Sequence, residues 1–168
     1  GVSLDADNGA EIARVSEMIR VATREQVPVV HPLHPELTGP TISQLSGRPS
    51  VAGAHRRNAV TVATGELDWD RPSTWTGVLD RSPCGTGTCA KMAVMHARGE
   101  LGLRENFHHE GPLGTIFTGR LVEETQVGPY QAVVPTLSGT AWITGIAQYV
   151  VDPDDPFPDG FTVGDIWA

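Results

Sequence analysis

Asp80-Arg81-Ser82-Pro83-Cys84-Gly85-Thr86-Gly87-Thr88-Cys89-Ala90-Lys91-Met92-Ala93 places a thiol on a glycine- and threonine-rich turn immediately before an apolar helix. At a helix N-terminus the unpaired N–H groups and aligned peptide dipoles favour negative charge. A thiol there is expected to ionise below its free value of about 8.5, which makes Cys84 a nucleophile or a proton base. The same N–H groups suit a carboxylate or phosphate, so the thiol shares its turn with a cradle for a small anion. Pro83 bars the helix from starting earlier, and Gly85 and Gly87 leave the backbone bare for that anion to approach. From Cys89 to Arg98 the residues are apolar on most faces and Gly99 stands at the C-cap position, which predicts a rigid, largely buried helix over 86–98. Gly87, Ala90, Ala93 and Ala97 recur every three or four positions, so one side of it can lie close against another element.

The flanking sequence is read by period. Ile12, Val15, Ile19 and Ala22 define one face of a helix running to about Glu25, with Asn8 and Glu11 as a capping-box-like start and Arg14, Glu17, Arg20 and Arg24 on its solvated side. Pro28, Pro32, Pro35, Gly39, Pro40, Gly47 and Pro49 mark 27–50 as loop, expected to lie over the site. Residues 51–63 and 75–79 read as strands, the second delivering Asp80 to the turn. Trp69, in the excursion between them, reads as a packing residue. Further strands are expected near 106–109, 114–124, 130–136 and 139–150, with Gly119, Gly128 and Gly139 at turns or bulges. On pattern alone the class is α+β.

Composition narrows the function. A chain of 168 residues with 39% apolar side chains suits one domain with its own core. The formal charge of −8, from 20 acidic and 12 basic side chains, argues against a nucleic-acid surface. No apolar run has the length of a membrane span, and the expected location is cytoplasmic, with no membrane partner. Cys84 and Cys89 are poorly placed to bridge each other, so Cys84 is expected to stay reduced. His31 with His34, and the doublet His108-His109, lack the spacing of ligand pairs and read as surface or packing histidines, so no metal is expected. The lysine and glycine spacing of a phosphate loop is absent, and no lysine-centred pattern calls for pyridoxal phosphate; the expected cofactor is none.

The string DRSPCGTGTCAKMA resembles the second active-site motif of the proline racemase family, which also holds 4-hydroxyproline epimerases and trans-3-hydroxyproline dehydratases. Arg57-Asn58-Ala59-Val60-Thr61-Val62 resembles the strand leading into that motif, and Glu110-Gly111-Pro112-Leu113-Gly114-Thr115-Ile116-Phe117-Thr118-Gly119 the hairpin after its helix. Ala132-Val133-Val134-Pro135-Thr136-Leu137-Ser138-Gly139-Thr140-Ala141-Trp142-Ile143-Thr144-Gly145 and Asp155-Pro156-Phe157-Pro158-Asp159-Gly160-Phe161 resemble its C-terminal end. The likeness runs along essentially the whole chain, yet it matches only the second half of a family member. The family's earlier Cys-Gly-His motif does not occur in these residues. The expectation is a fragment: residues 1–168 as the C-terminal domain, with the N-terminal domain absent and the fragment alone inactive.

The resemblance implies one half of a diaminopimelate-epimerase-like fold, a bent mixed sheet wrapped around the central helix, with substrate held between two such halves. It implies that Cys84 is one of two opposed thiols that invert an α-carbon, one abstracting a proton while the other donates. Cys89, five positions along the helix, cannot face Cys84 across a substrate. Asp80 is implied at the ring nitrogen of a proline-like substrate, and Gly85 and Thr86, with Gly87, at its carboxylate. The dehydratases carry threonine where this chain has Cys84, so the resemblance favours epimerisation or racemisation, of 4-hydroxyproline by analogy or of proline. The implied partners are a small amino-acid substrate, the missing N-terminal half and, through an exposed inter-domain face, a homodimer. A dehydratase-like lyase and a non-catalytic half-enzyme assembly subunit are the alternative readings.

Overall fold

The structure, a computed structural model, describes residues 1–160, so Phe161 at the end of the C-terminal resemblance lies outside the described residues. In chain order it contains α1 (Gly9–Gln26), β1 (Ile42–Gly47), β2 (Arg56–Ala63), β3 (Gly77–Leu79), α2 (Gly85–Ala97), β4 (Asn106–Glu110), β5 (Ile116–Val127) and β6 (Tyr130–Ser138). The strands form one mixed sheet in the order β1-β2-β4-β5-β6, with β3 attached to β2. The class is therefore α+β, as the sequence pattern predicts. Among the described residues no helix is long and apolar enough to cross a membrane.

β2 organises the sheet. One of its edges is covered by β1, antiparallel, from Ile42 opposite Val62 to Gly47 opposite Arg57. The other edge is shared: β3 pairs with Thr61, Val62 and Ala63, and β4 pairs in parallel with Arg56 and Arg57. Between those two partners, residues 58–60 face the chain that runs from β3 into α2. There the Asp80 N–H donates to the Val60 carbonyl at 2.8 Å, and Asn58 Nδ2 donates to the Pro83 carbonyl at 2.7 Å. The turn singled out in the sequence thus fills a gap in the sheet.

Side chains alternate across β2 and give each face its own core. Ala59 packs with Leu4 and Ile12 on the α1 side, where Val2, Leu45 and Leu79 add to the cluster. On the other side α2 contributes Met92 and Met95 to a core with Leu101, Phe107 and Leu121, backed by Val133 and Leu137. Gly119 makes that docking close, since a Cβ there would stand 2.5 Å from Met92 Sδ. The helix is embedded on this side only; Val94 on its outer face is 44% exposed.

Five sequence expectations are corrected. Residues 42–47, expected as loop, form β1, because the ladder with β2 outweighs the weak strand preference of Ser43, Ser46 and Gly47. Residues 51–55 are turn, the strand beginning only at Arg56, with Gly53 at φ 84°. Residues 139–150 form no strand: no sheet edge among the described residues receives them, and Ile143, Ile146 and Tyr149 stand exposed. On α1 the expected solvated side is partly inverted, with Glu17 and Arg20 buried and Ile19 half exposed. The charges survive burial as a pair, Arg20 Nε and Nη2 donating to the Glu17 carboxylate at 2.8 to 3.1 Å. Gly77 leaves the room, since a Cβ there would stand 3.3 Å from Glu17 Cγ and 2.7 Å from the Val62 carbonyl oxygen. The Asn8 side chain does not cap α1 but donates to the Ser3 carbonyl, while Glu11 pairs with Arg14.

The far end of α2 is tied to β5 by His96. Its Nδ1 donates to the Leu101 carbonyl and its Nε2 to Glu124 Oε1, each at 2.9 Å. Both partners only accept, so the doubly protonated ring is favoured, and the Leu101 carbonyl followed by the Glu124 carboxylate raises the pKa above the ordinary 6.5. A pKa raised by folding stabilises the protein fully below the unfolded value and loses that contribution as pH rises through the folded value. Glu124→Gln should therefore lower the thermal midpoint more in mildly acidic buffer than in alkaline buffer. Equal shifts at both would show that the contact carries no charge.

Candidate functional site

The turn is held from every side by short-range bonds. Asp80 Oδ1 accepts the Ser82 N–H at 2.8 Å, and Ser82 Oγ accepts the Cys84 N–H at 3.0 Å. The Pro83 carbonyl receives both Asn58 Nδ2 and, at 3.0 Å, Thr88 Oγ1. The peptide joining Pro83 to Cys84 is clamped at its carbonyl and at its N–H. Cys84 consequently sits at φ 60°, ψ 125°, a conformation that costs a side-chain-bearing residue about 1–3 kcal/mol and persists only where the surroundings over-determine it. Arg104 is the other non-glycine residue with positive φ among the described residues.

This conformation makes Cys84 the N-cap of α2. Its sulfur takes the place usually held by a serine or aspartate oxygen, accepting the Gly87 N–H at 3.3 Å and lying 3.5 Å from Thr86 Oγ1. Its carbonyl accepts the Thr88 N–H at 3.0 Å, the first bond of the helix. Gly85 and Thr86 occupy the exposed first turn, where N–H groups have no acceptor within a helix. Asp80, Cys84, Gly85, Thr86 and Gly87 therefore come together on one turn. Gly87 is turned inward to the sulfur, while Gly85 and Thr86 face outward. Asp80 is half-buried and engaged through one carboxylate oxygen in the local turn. Cys89 lies one turn deeper, its pKa raised first by burial and then by the nearby Cys84.

Several supporting residues are not apparent from the sequence motif. Gly111 is one: a Cβ at this position would meet Pro83 N at 2.8 Å and Ser82 C at 2.9 Å, so β4 ends with bare backbone against the cysteine turn. Its neighbour Glu110 is fully buried and accepts the amides of Ser50 and Val51 at 2.7 and 3.0 Å, the Ser50 hydroxyl as well, with Arg57 Nε 3.2 Å away. Burial pushes the Glu110 carboxyl up, but the Ser50 hydroxyl, the Val51 and Ser50 amides and the Arg57 guanidinium together hold it below the usual range. Gln44 is another, reached from the segment expected to lie over the site; a Cβ on Gly87 would stand 2.5 Å from its Oε1. No pattern in the sequence marks these contacts, because each depends on how β1, β2 and β4 meet α2.

A thiol cap with open amides, seated in a gap of a mixed sheet, defines a thiol-bearing α+β unit. The proline racemase family model matches residues 1–162, and the chain belongs to that family. It is 45% identical over 161 residues to a 4-hydroxyproline 2-epimerase of Streptosporangium roseum, a match covering 96% of this chain and 44% of that protein. It is 35% identical to a proline racemase of Clostridioides difficile with the same coverages of 96% and 44%. Among solved structures, a hydroxyproline epimerase from Agrobacterium vitis with bound trans-4-OH-L-proline superposes with a TM-score of 0.72 at 30% identity, covering 99% of this chain and 44% of that one. A probable proline racemase from Agrobacterium radiobacter K84 with bound carbonate gives 0.72 at 31%, covering 99% and 45%. The chain thus spans less than half the length of these relatives.

Proposed function

We propose that residues 1–168 are the C-terminal half of a cytoplasmic, cofactor-independent epimerase or racemase acting at the α-carbon of 4-hydroxyproline or proline. The observation that carries this reading is Cys84 itself, a strained N-cap whose sulfur takes a backbone N–H beside two outward-facing amides. Inversion removes a proton from one face of the α-carbon and returns one to the other, so two groups on opposite sides are required. Cys84 is the group on this side. As thiolate it takes the α-proton, the C–H electrons delocalise toward the substrate carboxylate, and a thiol of the N-terminal half protonates the opposite face; the reverse reaction exchanges the roles. Gly85 and Thr86 N–H groups bind the carboxylate as charge builds on it, with Gly87 keeping the sulfur in place. Asp80 offers its remaining oxygen to the substrate ring ammonium.

The exposed side chains of Trp142, Ile143, Ile146 and Tyr149 support an apolar face against which the N-terminal half rests, or a second copy of the chain in its absence. Residues 1–168 alone are expected to be inactive, since they hold one proton-transfer group and one wall of a pocket. Inversion of configuration at the α-carbon of trans-4-hydroxy-L-proline and of L-proline, followed by polarimetry, is the direct test. It should be absent with the isolated chain and present with the chain joined to an N-terminal half. Robust inversion by the isolated chain would sink the two-sided mechanism.

A further inference from the structure

His109 lies buried on β4, its ring tilted against Phe107 with centroids 4.9 Å apart, and its Nδ1 is 3.0 Å from Thr88 Oγ1. Thr88 Oγ1 is in turn 3.0 Å from the Pro83 carbonyl oxygen. A carbonyl only accepts and a threonine hydroxyl carries a single proton. With that proton on the bond to Pro83, the imidazole Nδ1 must donate to Thr88 Oγ1. A neutral ring has one N–H, which leaves Nε2 a bare lone pair. Nε2 is the buried ring atom without a hydrogen-bond partner, and an unmatched acceptor is tolerated more readily than an unmatched N–H. The ring is neutral above about pH 4, because burial, and then the charge of Lys91, hold its pKa down to about 4.

We propose that His109 is a positioning residue for Cys84: as the Nδ1–H tautomer it commits the Thr88 hydroxyl to the Pro83 carbonyl and so holds the peptide that gives Cys84 its positive φ. The functional part of this inference rests on the reading of Cys84 as a proton-transfer thiol. Four residues bear on the same peptide. Thr88 and Asn58 hold its carbonyl, Ser82 Oγ holds its N–H, and Gly111 allows the turn to sit against β4. Asn58 remains when the relay is cut, so its loss loosens the thiol without releasing it. The sulfur then samples orientations away from the Gly87 N–H and from the substrate face.

The tautomer can be read without any activity, by long-range proton–nitrogen NMR of the full 168-residue chain labelled with ¹⁵N-histidine. The expected spectrum shows His109 with Nδ1 protonated and Nε2 bare throughout the neutral range. An Nε2–H ring, or an imidazolium at neutral pH, overturns the proposal. Thr88→Val keeps the shape and removes the hydroxyl, and should let the ring exchange between tautomers. In the complete two-half enzyme it should lower kcat by about 10- to 100-fold with KM little changed, the scale set by small misplacements of a reacting group. Thr88→Ser keeps the relay and should restore both readouts. Unchanged kcat in Thr88→Val, or an equal loss in Thr88→Ser, also overturns it. Cys84→Ser in the same assay tests the thiol reading separately: full activity there refutes that reading and leaves the tautomer result to be judged by NMR alone.

Discussion

Cys84→Ser should abolish inversion in the complete two-half enzyme while leaving the fold intact. A hydroxyl in place of the thiol ionises far outside the neutral range, so the turn keeps its shape and loses its base. Removing one general acid or base typically costs about 10² to 10⁴ in rate, and here the same group serves both directions of the reaction. Serine is a favoured N-cap, and its oxygen can accept the Gly87 N–H that the sulfur now accepts. The thermal midpoint should therefore be held or slightly raised, which separates lost chemistry from lost structure. Polarimetry with α-proton exchange in deuterated water measures the first, and a melting curve the second. A serine variant that inverts substrate at the parent rate refutes the assignment.

Gly111→Ala should harm both stability and activity, through sterics alone. The added methyl would meet Pro83 N at 2.8 Å and Ser82 C at 2.9 Å, both main-chain atoms that cannot rotate aside. Overpacking of this kind costs about 1–3 kcal/mol, and the relief available is to push the segment before Cys84 away from β4. A displacement approaching 1 Å at a reacting group costs about 10² in rate. Gly65→Ala is the matched control, because a Cβ there meets nothing within 4 Å. Denaturant midpoints of the two variants should differ clearly. If they coincide, the turn is not packed against β4 as described.

The cysteine turn and the helix behind it were legible because their signals are local. Pro83, two glycines and an apolar run ended by Gly99 specify α2 to within a residue, and Gly99 does adopt positive φ, at 72°. The adjacent His108 and His109 do point opposite ways, His108 bonding Thr118 Oγ1 and stacking on His55 while His109 faces α2. What the sequence could not display is anything set by long-range pairing. β1 is built from Ile42-Ser43-Gln44-Leu45-Ser46-Gly47, which becomes a strand because β2 offers it an edge. Residues 139–150 carry strand-like side chains and find no such edge. Glu17 and Arg20 look like solvated helix charges until Gly77 opens a place for them against β2 and β3. At the candidate site, the turn from Pro83 to Gly87 could be read from its residue types, and Asp80 only from the family resemblance. Asn58, Thr88, His109 and Gly111 could not, since their importance lies in one peptide bond that they jointly orient.

The parallel ladder between β2 and β4 is only two residue pairs long, Arg56 with His109 and Arg57 with Glu110, and separate apolar clusters lie to either side of it. A ladder this short is where the domain is expected to open first, parting α1 with β1, β2 and β3 from α2 with β4, β5 and β6. In native-state hydrogen exchange, units of this kind open at free energies below that of global unfolding. The cysteine turn has roots in both, through Asn58 on one side and Thr88 on the other. Subglobal opening along the seam is then expected to loosen the cysteine turn before either unit melts, and amide exchange at Gly87 and Thr88 with a free energy below the global value would show it.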